Sequence, residues 1–416
     1  MPTSEVCSGD GCYLRGGAIV TDVDIDIRTN QNLTYMASKE NSQYNGIFDT
    51  AKEGEKRSFF GTLFTIVLLA ISFSLSLALV IAYLTPHVPP AMFGQFTIVG
   101  LFTPILYIMV VICTLLWVIM RRWITALVFG VLLIPGIFYF GDFYNTAVMV
   151  EKQLPEDSTE FTILTHNVRG FYNDDGKRDV SGYVEYLEKG NLPDILCLQE
   201  FPREARGINK LDTLFENSYK QYYKSDAEEG GEYAVRTYSR YPIIRTGSVA
   251  GEGRGTSQWC DIVFSRETIR VFNNHLYTMS ISADDTEDIV RGKILQDGDR
   301  MRSIVNRIAD NSSIRASHVD TLRYIMDNTP YRQIVCGDFN DTPMSYVYGL
   351  LSENLYDTFV ESGNGYGYTF RPMRGLLRID YILHSEGLES KGYTADESAT
   401  FSDHLPVMAR LKVIKD

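Results

Sequence analysis

Six short stretches of this chain place groups able to hold a hard cation or move a proton at the edges of apolar runs. Asn167 closes the run 161–168, Glu200 closes 194–200, and Asn273, Asn274 and His275 close 269–276. Asp338 and Asn340 follow 333–336, Asp380 enters 379–383, and Asp403 and His404 precede the last apolar run. Taken singly, each has a structural reading. Asn167 could cap a turn, Glu200 or Asp380 could pair with an arginine, His275 could be a satisfied core histidine, and Asp403 could cap a helix. Jointly they are hard to attribute to packing, because such groups are unfavourable in a core unless partners or a metal satisfy them. Glu200, Asp338, Asn340 and Asp403 are hard oxygen donors of the kind that suits Mg²⁺ or Mn²⁺. No HxH, HExxH or CxxC spacing suits zinc.

The elements that must carry these groups follow from periodicity. The run 161–168 alternates, so Ile163, Thr165 and Asn167 share one side of a strand. Runs 194–200, 269–276, 333–336 and 379–383, and a last strand ending at Val413, read as further strands. Between them, 301–309 and 316–326 show apolar spacings of three and four and predict two amphipathic helices. Residues 160–416 are therefore expected to form one α/β domain.

With the elements in place, the ordered motifs carry a resemblance. Thr165-His166-Asn167-Val168-Arg169-Gly170, Leu198-Gln199-Glu200, Tyr238-Ser239-Arg240-Tyr241-Pro242, Asn274-His275-Leu276, Gly337-Asp338-Phe339-Asn340, Arg378-Ile379-Asp380-Tyr381 and Ser402-Asp403-His404 resemble the endonuclease/exonuclease/phosphatase superfamily, whose fold is deoxyribonuclease-like. The resemblance spans about residues 160–413, and the stretches 338–348 and 363–370 look closest to an uncharacterised, membrane-anchored bacterial branch. It implies a four-layered α/β sandwich, two β-sheets flanked by helices, with the site where strand ends of both sheets meet. It also implies metal-assisted hydrolysis of a phosphoester, with Mg²⁺ or Mn²⁺ as cofactor. By resemblance, Glu200 is the metal ligand, with Asp403 and Asn167 around the same ion. Asp338 orients and deprotonates the attacking water, helped by Asn340, which lies on the same side if the strand continues. His404 donates to the phosphoryl oxygen while Asp380 fixes its ring. His275 matches a second phosphate-contacting histidine of the deoxyribonuclease-like and sphingomyelinase-like branches, where abasic endonucleases commonly carry tyrosine. His166, His318, His87 and His384 take structural or solvated roles. Gly363, Gly365 and Gly367 read as a loop rather than a phosphate cradle, because no Gly-Lys-Ser/Thr follows.

The remaining features concern where this chemistry would occur. Of 416 residues, 39 are basic and 52 acidic, a net charge of −13, so the surface is not built to grip polyanions generally. The apolar residues concentrate between Phe59 and Met149. Three charge-free runs there, about 59–84, 94–120 and 123–141, predict three transmembrane helices. Lys52, Lys56 and Arg57 precede the first run and Arg121-Arg122 joins the last two. The positive-inside rule therefore puts the N-terminus in the cytoplasm of a bacterial inner membrane and the domain after Asp142 in the periplasm or outside. Residues 142–159 read as a linker. Residues 1–58 read as a weakly ordered polar segment with a strand-like stretch over 20–27 and two incidental thiols, Cys7 and Cys12. Cys113, Cys197, Cys260 and Cys336 read as buried thiols.

The expected function is a membrane-anchored, divalent-metal-dependent phosphoesterase acting on a phosphodiester, a lipid headgroup or small molecule, outside the cytoplasm. The expected partners are that substrate and the bilayer. An endo- or exonuclease, a phosphomonoesterase and a catalytically silent binding module are the alternatives. A transporter is disfavoured, because the apolar runs hold no acidic or histidine residue to mark an ion path.

Overall fold

The computed structural model describes residues 59–146, 159–173, 175–219, 221–230, 232–251, 255–281, 285, 288–289 and 291–414. The readings made for residues 1–58 and for most of the linker, 147–158, lie outside the described residues. The chain divides into two units, the second running from Leu68 to Asp416, and the packing described below lies within it.

Two six-stranded sheets form the body of this unit. One contains β2 (Glu160–Asn167), β3 (Ile195–Pro202), β4 (Tyr223–Gly230), β5 (Tyr233–Ser239), β13 (Leu388–Ala395) and β14 (Val407–Val413), in the order β13-β14-β2-β3-β5-β4. The other contains β6 (Ile243–Ala250), β7 (Thr256–Phe264), β8 (Glu267–His275), β9 (Arg332–Asp338), β10 (Tyr356–Asp357) and β12 (Asp380–His384), in the order β10-β12-β9-β8-β7-β6. Each sheet has one parallel pair, β2 with β3 and β8 with β9. Alternation decides the layering. Ile163, Ile195, Cys197, Cys260, Val271, Ile334, Cys336 and Ile382 face inward and fill the space between the sheets. On the outer faces, Leu164, Leu196 and Leu198 pack against helices Val180–Tyr186 and Asn209–Ser218. Phe272, Val335, Tyr381 and Leu383 pack against helices Gly298–Asp327 and Tyr346–Leu351. The result is α/β with two sheets flanked by helices. The four cysteines 113, 197, 260 and 336 are free and buried.

Three expectations are corrected. The two helices 301–309 and 316–326 are one 30-residue helix, Gly298–Asp327. Its polar middle does not break it, because Ser312 and Arg315 are buried and Arg315 bonds Asp341, Ser312 and the Tyr277 carbonyl. The Gly363–Gly367 stretch contains a strand, β11 (Asn364–Tyr366), antiparallel to β1 (Tyr144–Thr146), so the expected linker begins as paired structure. Of the three expected membrane helices, one, Phe59–Leu84, is long and apolar enough to span alone.

The other two apolar runs are interrupted, and the reasons are local. Run 94–120 divides into helices Phe96–Leu101 and Thr103–Ile119, with Pro104 in the first turn of the second, where its missing N–H costs nothing. Only the 17 residues Thr103–Ile119 continue as apolar helix. Run 123–141 divides into Trp123–Val131 and Ile134–Tyr139, bent by 42° across the break ahead of Pro135. The segment 85–102 meanwhile belongs to the α/β body. Ile98 packs among Ile294, Ile304 and Ile308. Leu101 and Phe102 pack among Met279, Leu377, Ile379 and Phe370. Gly100 is required here, since a Cβ would lie 2.3 Å from the Met344 carbonyl oxygen. The apolar helices pack on one another through Leu68, Cys113, Trp117, Ala126 and Phe129, and the Trp117 indole donates to Ser72 Oγ at 3.0 Å.

Candidate active site

Strand register gathers the site. His275 ends β8 opposite Asp338 at the end of β9, and Asp380 at the start of β12 pairs with the same Asp338. From the facing sheet, Asn167 ends β2 and Glu200 lies near the end of β3. Glu200 has φ 47°, inside a bulge between Leu198 and Phe201 in the pairing with β5. A left-handed non-glycine residue in a bulge re-aims a side chain at a backbone cost of about 1–3 kcal/mol.

The structure joins these groups through the Asn167 amide, which donates to Glu200 Oε1 at 3.2 Å and to Asp338 Oδ2 at 2.9 Å. Asn340 reaches Asp338 by a different route from the continued strand expected of it. Its φ is 51°, and the chain turns so that its backbone N–H donates to Asp338 Oδ1 at 2.8 Å and its amide to Oδ2 at 3.1 Å. His404 Nδ1 lies 2.9 Å from Asp380 Oδ2, and its Nε2 lies 3.7 Å from Asp338 Oδ2. His275 Nε2 stands 3.6 Å from Glu200 Oε1 and 3.9 Å from Asp338 Oδ2. Asp403 Oδ2 lies 3.4 Å from Arg169 Nη1. Seven of the eight residues to which the resemblance gives roles therefore form one contact network, with Asp403 at its edge.

Electrostatics follows from burial. Asp338 is 1% exposed. Burial raises its pKa, His404, His275 and the Asn167 bond pull it down, Asp380 pushes it up, and the balance is about 6. Burial opposes a charge on His404, but Asp380, Asp338 and Asp403 outweigh it and raise the pKa to about 10. At neutral pH His404 is an imidazolium. His166 behaves oppositely, burial pushing it down to about 3. Its neutral ring lies on the far side of β2, 3.2 Å from the His404 carbonyl.

Several supporting groups escaped the sequence reading. Thr369 Oγ1 accepts the N–H groups of Ile379 and Asp380 at 3.0 Å each and sets the start of β12. Phe370 pairs with His404 and lays its ring 4.9 Å from the imidazole. Arg315 bonds Asp341 with both groups buried, which holds the loop after Asn340. Gln199 bridges the sheets beneath the site through Thr165 and Asn273. Arg315 falls between the two helices expected over 301–309 and 316–326, and only their fusion into one helix brings it inside.

The donor set fits a divalent cation. Four carboxylates, Glu200, Asp338, Asp380 and Asp403, surround two imidazoles, and ligand atoms of Asp338, Asp380 and His404 lie within 4.8 Å of one another. The His404–Asp380 bond occupies that pair, and Glu200 and Asp403, with side chains 33% and 23% exposed, are oxygen donors reached by solvent.

Residues 164–404 match the model of the Endonuclease/Exonuclease/phosphatase family, and the chain belongs to that family. Its members are typically metal-dependent hydrolases of phosphoester bonds. Residues 62–143 match a domain of unknown function. No curated protein matches the chain. Among solved structures, an endonuclease/exonuclease/phosphatase from Beutenbergia cavernae is 17% identical, with 62% of this chain and 72% of that one covered at a TM-score of 0.45. The protein of the same description from Bacteroides vulgatus is 18% identical, with coverages of 61% and 99% and a TM-score of 0.43. The human Nocturnin catalytic domain with bound sulfate is 16% identical, with coverages of 61% and 95% and a TM-score of 0.43.

Proposed function

We propose that this protein is a membrane-anchored, divalent-metal-dependent phosphoesterase that hydrolyses phosphodiester bonds. The observation that carries the reading is the network in which Asn167 and Asn340 orient Asp338 while Asp380 and Asp338 hold His404 charged. Asp338 accepts the proton of the attacking water. Its two oxygens are held by three N–H donors, which fixes the carboxylate for in-line attack. His404 Nε2 donates to a phosphoryl oxygen as negative charge develops there, and His275 stands ready for a second such contact. A divalent ion held by Glu200 and Asp403, beside Asn167, would supply charge neutralisation and polarise the phosphoryl group. No covalent intermediate is required, because Asp338 and the cationic His404 act directly on water and phosphate.

The apolar helices are the anchor. Segment 85–102 connects two of them and packs on Leu377 and Ile379, next to Asp380. That continuity supports a lipid headgroup or small phosphodiester over nucleic acid, as does the net charge of −13. We place the domain outside the cytoplasm of a bacterial cell on the strength of the flanking Lys and Arg residues.

The test is a substrate panel with detergent-purified full-length protein. A chromogenic phosphodiester, its monoester, duplex DNA and mixed phospholipid–sphingomyelin vesicles are compared with Mg²⁺ and with chelator. The expected result is Mg²⁺-dependent cleavage of diester over monoester, and of lipid over DNA. Cleavage of DNA alone would overturn the substrate preference, and silence on every substrate would favour a binding module.

A further inference from the structure

Where the apolar helices meet the α/β body, they enclose a cavity of about 250 Å³, apart from the active site. Its walls come from four places in the chain: Tyr83 in the last turn of helix Phe59–Leu84, Pro104 and Tyr107 in the first turns of Thr103–Ile119, Tyr139 and Phe140 at the end of the third apolar run, and Tyr366 on β11. Among the described residues, none that lines it is charged. The pairing of Tyr144 with Tyr366 closes the side toward the domain. On the rim, Ile108 is 58% and Phe140 53% exposed, continuous with the outward apolar surface that includes Ile105 and Ile112 of the same helix.

Two features show that this space is built. Gly136 lies at its back, where a Cβ would come 2.1 Å from the Tyr107 ring and 2.6 Å from the Tyr83 hydroxyl. Only glycine lets both rings stand against the helix with the cavity beside them. The Tyr107 hydroxyl is turned into the protein and donates to the Leu133 carbonyl at 3.3 Å, so the ring presents its apolar body to the space. Aromatic residues at helix ends mark the boundary between hydrocarbon and headgroups. An uncharged, aromatic-walled cavity at that level excludes a headgroup and suits an alkyl chain.

We propose that the cavity binds one acyl chain of a membrane phospholipid, wedged between the anchor and the catalytic body. The proposal rests on the anchoring stated above, although not on the activity. Occupancy would join Tyr83, Tyr107 and Tyr139 to Tyr366, whose hydroxyl donates to the Leu376 carbonyl at 2.6 Å, next to Leu377 in the cluster flanking the active site.

The test reconstitutes the full chain in phosphatidylcholine–phosphatidylglycerol nanodiscs that contain a phosphatidylcholine with a diazirine on its acyl chain. Adducts are mapped by mass spectrometry after illumination. The proposal predicts adducts concentrated on peptides carrying Tyr107, Tyr139 or Tyr366, above those at the outward residues Phe73 and Leu77. Ile108→Trp, at an exposed rim position, and Gly136→Ala, which pushes the Tyr107 ring into the space, should each reduce the cavity adducts. Displacing two methylenes corresponds to a loss of about tenfold. Adducts at Phe73 and Leu77 should not change, and the unfolding temperature of Ile108→Trp shows that the fold is retained. Labelling that follows exposure alone, or is unmoved by Ile108→Trp, would overturn the acyl-chain site and leave the anchoring intact. No adducts at Phe73, Leu77 or the cavity would overturn both.

Discussion

Asp338 receives hydrogen bonds from Asn167 and Asn340 and lies within 4 Å of both imidazoles. Asp338→Asn keeps its shape and removes its basicity. We expect kcat to fall by about 10²–10⁴ with unfolding temperature nearly unchanged, read from steady-state kinetics beside a melting curve. His404 gives a second prediction. Its folded pKa, about 10, lies above its ordinary value of 6.5. The stability it contributes is therefore complete below about pH 6.5 and is lost as pH rises through 10. In metal-free protein its ring resonances should titrate near 10, and Asp380→Asn should move that titration toward neutrality. At this scale much was legible, because a carboxylate, amide or imidazole that ends an apolar strand seldom serves packing alone. What the sequence could not show were Thr369, Gln199 and Arg315, ordinary polar residues whose importance comes from partners far away along the chain. Asn340 was singled out for the wrong local geometry, since its left-handed backbone, not a continued strand, brings it to Asp338.

At the scale of elements, the active-site loops depend on two supports. One is the buried Arg315–Asp341 pair. Asp341→Ala leaves the guanidinium buried and unpaired, and urea unfolding should show a loss of about 3–5 kcal/mol. The other is segment 85–102. Gly100→Val forces a side chain against the Met344 carbonyl and should cost about 1–3 kcal/mol in the same experiment, with a fall in kcat as Leu101 withdraws from Ile379. The strands were readable because alternation and apolar runs are local. The division of the second apolar run was not. Hydrophobicity reports a wish for burial without naming the surface, and Ile98 and Leu101 pack against the protein itself.

For the whole molecule, the apolar helices and the α/β body share an interface that includes β1 with β11, segment 85–102 and the cavity at Gly136. A fragment of residues 159–416 would expose Met279, Leu377 and Ile379 and lose the partner of β11, so it should aggregate or unfold at lower temperature than the full chain. The sandwich itself was legible from the order of its motifs, whereas its attachment to the apolar helices was not, since it is made by contacts between residues far apart in the chain, such as Tyr144 with Tyr366 and Leu101 with Met279.

Phosphodiester hydrolysis by the strand-end cluster requires a bound divalent ion and the Asp338 carboxylate. That requirement is tested most directly by the rate at which full-length protein cleaves a chromogenic phosphodiester as Mg²⁺ is titrated, for wild type and Asp338→Asn in parallel. The expected result is a saturable Mg²⁺ dependence that chelator abolishes, and a rate about 10²–10⁴ lower in the variant at every Mg²⁺ concentration. Equal rates in the two proteins, or cleavage indifferent to chelator, would contradict it.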